Sequence, residues 1–391
     1  MKIAIVIEHF DPASGGMERS TSEIAGELVK RGHEVNVLAG SGKEGEGEAA
    51  GVKTIYMTEK KSSGAMRLAR FAKWSNHQLE EGDYDTSLSV SMAAWGAVMQ
   101  PRGGTVRETL ERNIAIRGNG LKRGWKRLMV GLNAKQRLLL SLEKKHLNDE
   151  RVKKVAAVSE YVVRQLRDHY GVASDRIVVV RNAAAMPEVS EEQKQMWRDA
   201  VRKQFNVPGD TTGVYLFAAQ NPKLKGFGTV VEATRLLVEW GEHPTVLLVG
   251  KYGWGEQELI ASKGVREHVR LVGETAEMPA MFAACDALVH PTFYDPSSKV
   301  VIESLMMGRP AISSGFNGAS DWLRDVDGQP LRGFVVDDPG DVAGYAEAMI
   351  EVMKLDRYEV MRAACGGIHD ELSMRRHVDE LERMLEDAIE G

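Results

Sequence analysis

Short apolar runs rich in Val, Ile and Leu alternate with segments of helical period, and the alternation occurs twice along the chain. In the first half the runs fall at 3–7, 34–38, 54–57, 86–90, 155–158 and 177–180. In the second half they fall at 214–218, 246–249, 269–272, 287–290, 311–313 and 334–336. Continuous β-branched runs of this length suit strands buried on both faces, and intervening helices suit right-handed crossovers. The expectation is an α/β protein with two doubly wound parallel sheets. The length agrees, since 391 residues exceed one ordinary core.

The strand pattern breaks near residues 183–210, where Pro187, Pro208 and a mostly charged helix intervene. This divides the chain into a first domain of 1–185, a second of 186–365 and a helical tail of 366–391. With no strand left to add, the tail is expected to pack back on the first domain. The segment 41–51, SGKEGEGEAAG, reads as a surface loop.

Composition narrows the class. Hydrophobic residues make up 43% and charged residues 27%, which is globular, and no window reaches the ~18 apolar residues of a membrane span. MKIAIVIEHF reads as a buried first strand, because no small-residue cleavage site follows it. Cys285 and Cys365 lie in apolar surroundings, as reduced core thiols of a cytoplasmic protein do, and no metal site is expected. A net charge of −5 argues against nucleic acid as a partner.

The charge is uneven, however. From Arg117 to Lys145 nine Lys and Arg residues face one acid, Glu143, with Leu121, Trp125, Leu128, Met129, Leu132 and Leu138 interleaved. This reads as a basic amphipathic helix. It suits an anionic membrane surface, which would make the protein peripheral at the inner face of the cytoplasmic membrane, or a solvated helix packed on its own domain.

In open α/β sheets, ligands bind beyond the carboxyl ends of the strands. After the first strand, Gly15 and Gly16 precede a helix, where backbone N–H groups can approach a phosphate; a plain turn is the alternative. No acid stands where a dinucleotide fingerprint requires one, which argues against a dehydrogenase. In the second half, AAQNPKLKGF places Gln220, Asn221, Lys223 and Lys225 before a helix. Two ammonium groups there match a diphosphate leaving group, or are exposed lysines. In FYDPSSKVVIESLMMGRP, Asp295 precedes a helix opening near Ser298, Lys299 and Val300, and Glu303 lies one turn inside it. The two carboxylates could be a hydrolytic pair, a metal site or a clamp on vicinal hydroxyls; an acid in that apolar run is costly to leave unpaired.

Taken together, GGMERS, RGHEV at 31–35, VSEYV at 158–162, RIVVVRNA at 176–183, KLKGF at 223–227 and HPTFYDPSSKVVIESLMMGRPAISS resemble the retaining GT-B glycosyltransferases of family 4. The resemblance covers the chain in order. A narrower one, from Gln100 to His146, is to lipopolysaccharide core glucosyltransferases acting on an inner-core heptose. It implies two facing Rossmann-like domains with a central cleft, a nucleotide-sugar donor such as UDP-glucose, and a glycan or glycolipid acceptor.

By this resemblance Gly15, Gly16, Lys225 and Lys223 hold the donor diphosphate, with Ser298, Lys299 and Val300 offering backbone N–H groups. Glu303 holds the ribose, and Asp295 faces the donor sugar. Gly318 and Asp321 fall where the family often has a glycine and an acid. The sequence departs in having aspartate where the first acid is usually glutamate, Ser298 for the usual glycine, and Gln220 for an arginine. Arg102, Arg107, Glu108 and Asn182 are the acceptor-side candidates.

A hydrolase needs carboxylates flanking the scissile bond. Here both belong to one loop–helix unit beside lysines, so the expected reaction is retaining transfer with no metal or cofactor. Closure of the domains would exclude water. The alternatives are a UDP-sugar 2-epimerase of the same architecture, which needs no acceptor, and a non-catalytic nucleotide-sugar binder, which would be expected to have lost the lysine or the second acid.

Overall fold

A computed structural model describes residues 1–13, 16–42, 49–58, 63–116 and 120–390. The chain forms two compact units, one of Met1–Asn182 joined by the residues from Met374 onward, the other of Ala183–Ser373.

The first unit begins with β1 (Lys2–Ile7), α1 (Gly16–Lys30), β2 (Glu34–Ala39), β3 (Lys53–Tyr56), α2 (Gly64–Glu81) and β4 (Thr86–Ser89). It continues with β5 (Val98–Met99), α3 (Val106–Ala115), α4 (Gly120–Leu132), α5 (Ala134–Leu147), β6 (Lys154–Ala157), α6 (Glu160–Tyr170) and β7 (Ile177–Val179). The second unit carries α7 (Glu191–Gln204), β8 (Gly213–Ala219), α8 (Phe227–Glu239), β9 (Pro244–Gly250), α9 (Trp254–Ser262) and β10 (Val269–Gly273). It then adds α10 (Met278–Ala284), β11 (Ala287–His290), α11 (Lys299–Met306), β12 (Ala311–Ser314), β13 (Gly333–Val336), α12 (Val342–Met353) and α13 (Leu355–Cys365). The last helix, α14 (Met374–Glu390), belongs to the first unit.

Both sheets are parallel. Their orders are β3-β2-β1-β4-β5-β6-β7 and β10-β9-β8-β11-β12-β13. Each therefore reverses direction once, between β1 and β4 and between β8 and β11. In the first sheet Ile5 pairs in register with Val37 on one side and Leu88 on the other. Because side chains alternate across a strand, Ile3, Ile5 and Ile7 pack with Ile24 and Leu28 of α1 and Val378 and Leu381 of α14. Ala4 and Val6 face the opposite layer, with Leu68 and Phe71 of α2. Each such fully buried Ile or Leu contributes roughly 1.5–3 kcal/mol. The second sheet is built the same way: Val214 and Leu216 face α10 and α11, while Tyr215 and Phe217 face α8 and α12.

The structure differs from expectation in three places. All the anticipated strands form, but β5, two residues long, carries no pattern to be read. The charged helix α7 lies in the second unit, within the expected bounds: Arg198 and Arg202 reach Asp286 at 2.5 and 3.0 Å and fasten it there. The boundary thus falls just after Asn182, and the return to the first unit at Met374.

The third difference is the basic segment. It is two helices, broken at Asn133, whose side chain caps α5 by accepting the Gln136 N–H at 3.1 Å. Its start at Arg117 lies outside the described residues. Leu138, Leu139 and Leu142 of α5 pack on the core beside α2. On α4 no residue is buried; Leu121 is 87% and Trp125 67% exposed. The two cysteines are free and buried, and burial pushes the Cys365 thiol up to about 12.

Candidate active site

Two positions qualify, one in each unit, both where a strand order reverses. In the second unit the loops after β8 and β11 lie side by side. Gly226, at φ 81°, caps α8, and a Cβ there would sit 2.0 Å from the Pro291 carbonyl oxygen. Only glycine lets the lysine loop approach the end of β11 so closely. The Phe293 N–H then donates to the Leu224 carbonyl at 2.9 Å, joining the loops.

This contact brings together the residues of two sequence motifs. The Lys225 ammonium lies 2.5 Å from Asp295 Oδ2 and donates to the Tyr294 carbonyl at 3.3 Å. Asp295 Oδ1 accepts the Ser297 N–H at 3.1 Å. Its backbone is braced as well, donating to the Phe316 carbonyl and accepting from Gly318, each at 2.9 Å. The carboxylate is thereby fixed in rotamer and direction. Gln220, Asn221 and Lys223 are exposed on the lysine loop, where Asn221 Oδ1 accepts the Leu224 N–H at 3.3 Å.

Ser298 is the N-cap of α11, and its side chain makes no capping bond to that helix. Its own N–H donates to Asn317 Oδ1 at 3.1 Å, so the expected role of Ser298 as an amide donor is taken over by an internal contact. The amides of Lys299 and Val300 open the helix behind it, where the dipole favours an anion. Glu303 is half-buried on α11. Gly318 and Asp321 form a short turn after β12 that supports the Asp295 loop.

Two buried supports escaped the sequence reading. Asn317 holds the N–H groups of Ser298 and Ala319 through one oxygen and donates to Ser313 Oγ at 2.8 Å. His290, at the end of β11, lies 3.3 Å from Ser298 Oγ. Burial, reinforced by neighbouring Lys225 and opposed by Asp295, pushes its pKa down to about 3, so the ring is neutral. The sequence signal for Asn317 was the run of small polar residues around it, and for His290 a single imidazole closing an apolar strand.

In the first unit a cavity of about 560 Å³ opens past β1 and β4. Glu8, His9, Ser91, Asn133, Lys135 and Gln136 supply polar groups to its wall. Ser91 donates to Glu8 Oε1 at 3.0 Å. Gly16 starts α1 and is exposed; Gly15 lies outside the described residues.

None of the four acceptor-side candidates is on that wall. Arg102 turns away to Gln100 at 2.9 Å and Asn182 at 3.1 Å, with His377 of α14 at 3.3 Å. Arg107 pairs with Glu111 on the surface of α3. Glu108 is buried and receives Tyr161 at 2.7 Å, His169 at 2.7 Å and Arg112 at 2.6 Å. With Glu111 and His169 it forms a group of metal-ligand type, but these protein donors already occupy its oxygens. What sequence reasoning missed, the adjacent Glu8 and His9 and the distant Lys135, come from two separated segments.

Comparison with known proteins adds to this geometry. Residues 14–184 match the family described as Glycosyltransferase Family 4, and residues 212–354 the family Glycosyl transferases group 1. The lipopolysaccharide glucosyltransferase WaaG of Escherichia coli is 21% identical over 314 residues, 80% of each chain. The crystal structure of WaaG superposes with a TM-score of 0.77 at 18% identity, covering 98% of this chain and 99% of that one. Anabaena HepE in complex with UDP-glucose superposes at 0.68 and 16% identity, over 99% and 100% of the two chains. These structures share the two-domain parallel-sheet fold.

Proposed function

The chain belongs to the group 1 and family 4 glycosyltransferases, and from that premise we propose that it moves a hexose from a UDP-linked donor to a cell-envelope glycan or glycolipid, such as a lipopolysaccharide core. The observation that carries this reading is the Lys225–Asp295 pair, at 2.5 Å, on the two loops that meet where the second sheet reverses.

Each residue then has a part. Lys225, with exposed Lys223 beside it, neutralises charge developing on the departing diphosphate, and the amides opening α11 add their partial charge. No metal is required for that task. Asp295 accepts hydrogen bonds from hydroxyls of the donor sugar. Glu303 holds the ribose hydroxyls. With both carboxylates on one loop–helix segment, the acceptor hydroxyl attacks on the face from which the diphosphate leaves, and the anomeric configuration is retained. UDP and glucose are favoured because HepE binds UDP-glucose and WaaG is a glucosyltransferase.

The test is UDP release from UDP-glucose with and without a lipopolysaccharide-core acceptor. Transfer predicts release only with acceptor, a retained anomeric configuration in the product and no loss of rate in EDTA. Consumption of donor without acceptor would instead favour the epimerase. Glu303→Ala should lower UDP affinity at least tenfold; an unchanged affinity removes Glu303 from the ribose.

The acceptor, if a glycolipid, lies at a membrane. Among the described residues no helix is long and apolar enough to cross one. Exposed α4, with Leu121, Trp125, Leu128 and Leu132 among basic residues, suits the headgroup region of an anionic surface. Sedimentation with phosphatidylglycerol vesicles at low salt, release at high salt and loss in Trp125→Ser are expected. Equal sedimentation with neutral vesicles would rule this attachment out.

A further inference from the structure

A second cavity of the first unit, about 450 Å³, lies past the ends of β1, β2 and β3. It shares Glu8, His9 and Lys135 with the larger cavity, so the two adjoin. Its wall differs in kind. Arg67 and Lys135 line it, both side chains are exposed, and neither has a charged or hydrogen-bonding partner for its side chain among the described residues.

Both cations stand in the first turns of helices. Arg67 is in α2 and Lys135 in α5, and neither first turn carries an acid. A Cβ on Gly64, the first residue of α2, would lie 3.4 Å from Lys135 Cδ, so the lysine stem crosses the opening of α2. The side chains of the caps Ser63 and Asn133 accept the Met66 and Gln136 N–H groups. Cationic side chains and the positive ends of two helices therefore converge on one concavity. His9 is held at the rim by Ser41 at 3.0 Å. Among the described residues Glu8 is the one acid on the wall, and it is engaged through Oε1 by Ser91. Like charges gathered in a hollow repel one another, and a bound anion removes that repulsion.

We propose that this second cavity binds an anionic substituent of the acceptor, a phosphate monoester or a carboxylate, next to the sugar that receives the transferred hexose in the larger cavity. The inference rests on the glycosyl-transfer reading for the word acceptor, but the anion site itself can be tested apart from it. Arg67 suits the paired oxygens of either group, and Lys135 supplies a point charge at the junction of the two cavities.

The experiment is calorimetric titration of the full chain with inorganic phosphate and, separately, acetate, in saturating UDP so that the lysine loop of the second unit is occupied. Wild type should bind one anion. Arg67→Gln/Lys135→Gln should weaken it at least tenfold, with UDP affinity and thermal midpoint unchanged, and Arg67→Lys/Lys135→Arg should restore most of it. Preference for phosphate assigns a phosphorylated acceptor, and equal or stronger binding of acetate a carboxylated one. Anion binding that is absent from wild type, or unaltered in the double Gln variant, overturns the proposal. Should UDP release fail with every acceptor while the anion result holds, the transfer reading falls and the anion site stands.

Discussion

The two reversal points are built from the same topology and finished in opposite ways. In the second unit, functional groups are tied to one another: Lys225 to Asp295, Asp295 to the loop after β12, Ser298 to Asn317 and His290. In the first unit, polar groups line two adjoining cavities, and Arg67 and Lys135 make no such ties among the described residues. A rigid end suits a ligand whose bond must break in one geometry, since preorganised charge costs no rearrangement at the moment of reaction. An open end suits a large acceptor that brings its own shape.

The largest expected effect breaks the rigid end. Lys225→Ala removes the half-buried cation and leaves Asp295 without its charged partner. Turnover should fall roughly 10²–10³-fold, the usual cost of losing one preorganised group at developing charge. Lys135→Ala, at the open end, should change turnover at saturating acceptor far less. Steady-state UDP release measures both, and comparable losses would remove the contrast between the two ends.

A smaller effect tests the wall of the open end. Buried Glu143 of α5 accepts the Val106 N–H at 2.8 Å and the Tyr170 hydroxyl, holding α3 beside the cavity. Burial raises its carboxyl to about 7, its hydrogen-bond donors opposing, against about 4.3 in an unfolded chain. The folded state keeps a proton that the unfolded chain releases. Its stabilising contribution is complete below about pH 4.3 and lost as pH rises through about 7. Glu143→Gln keeps both contacts without a charge. By pH 8 the variant should exceed wild type by up to about 3 kcal/mol more than it does at pH 4. Urea unfolding across that range reads the difference, and parallel pH profiles would refute it.

What could be read in the sequence follows the same division. Strands buried on both faces are continuous apolar runs, so Ile3–Ile7 or Val246–Val249 announce themselves. The lysine loop and the Asp295–Glu303 segment are each contiguous, and one glycine contact joins them, so the second-unit site was legible as two phrases. The bond from the Ser298 amide to Asn317, nineteen residues on, belongs to no contiguous phrase. The first-unit cavity draws Glu8, Ser91 and Lys135 from segments that meet only after folding. Arg102 and Glu108 looked functional because they are charged residues in a polar run. Folding ties Arg102 to Asn182 and Glu108 to Tyr161 and His169, contacts that charge pattern alone does not reveal. The basic segment was read as one helix because its charge and apolar period run through Asn133, whose capping role depends on backbone angles rather than on period.

That break offers the smallest and most local test. Asn133 adopts extended backbone angles, φ −75° and ψ 110°, and its side chain caps α5 through the Gln136 N–H. Replacing such a cap by Ala costs about 1 kcal/mol, while Gly costs only a few tenths. If the cap sets where α5 begins, Asn133→Ala should lose about 1 kcal/mol in urea unfolding and Asn133→Gly much less. Lys135, two residues further on, should then lose its position, and Asn133→Ala should weaken phosphate binding at the second cavity while leaving UDP affinity unchanged. If Asn133→Ala costs nothing and phosphate binds as before, α5 is positioned by its apolar face on α2 alone. The open end would then owe its geometry to the same kind of core packing that shapes the rest of the sheet.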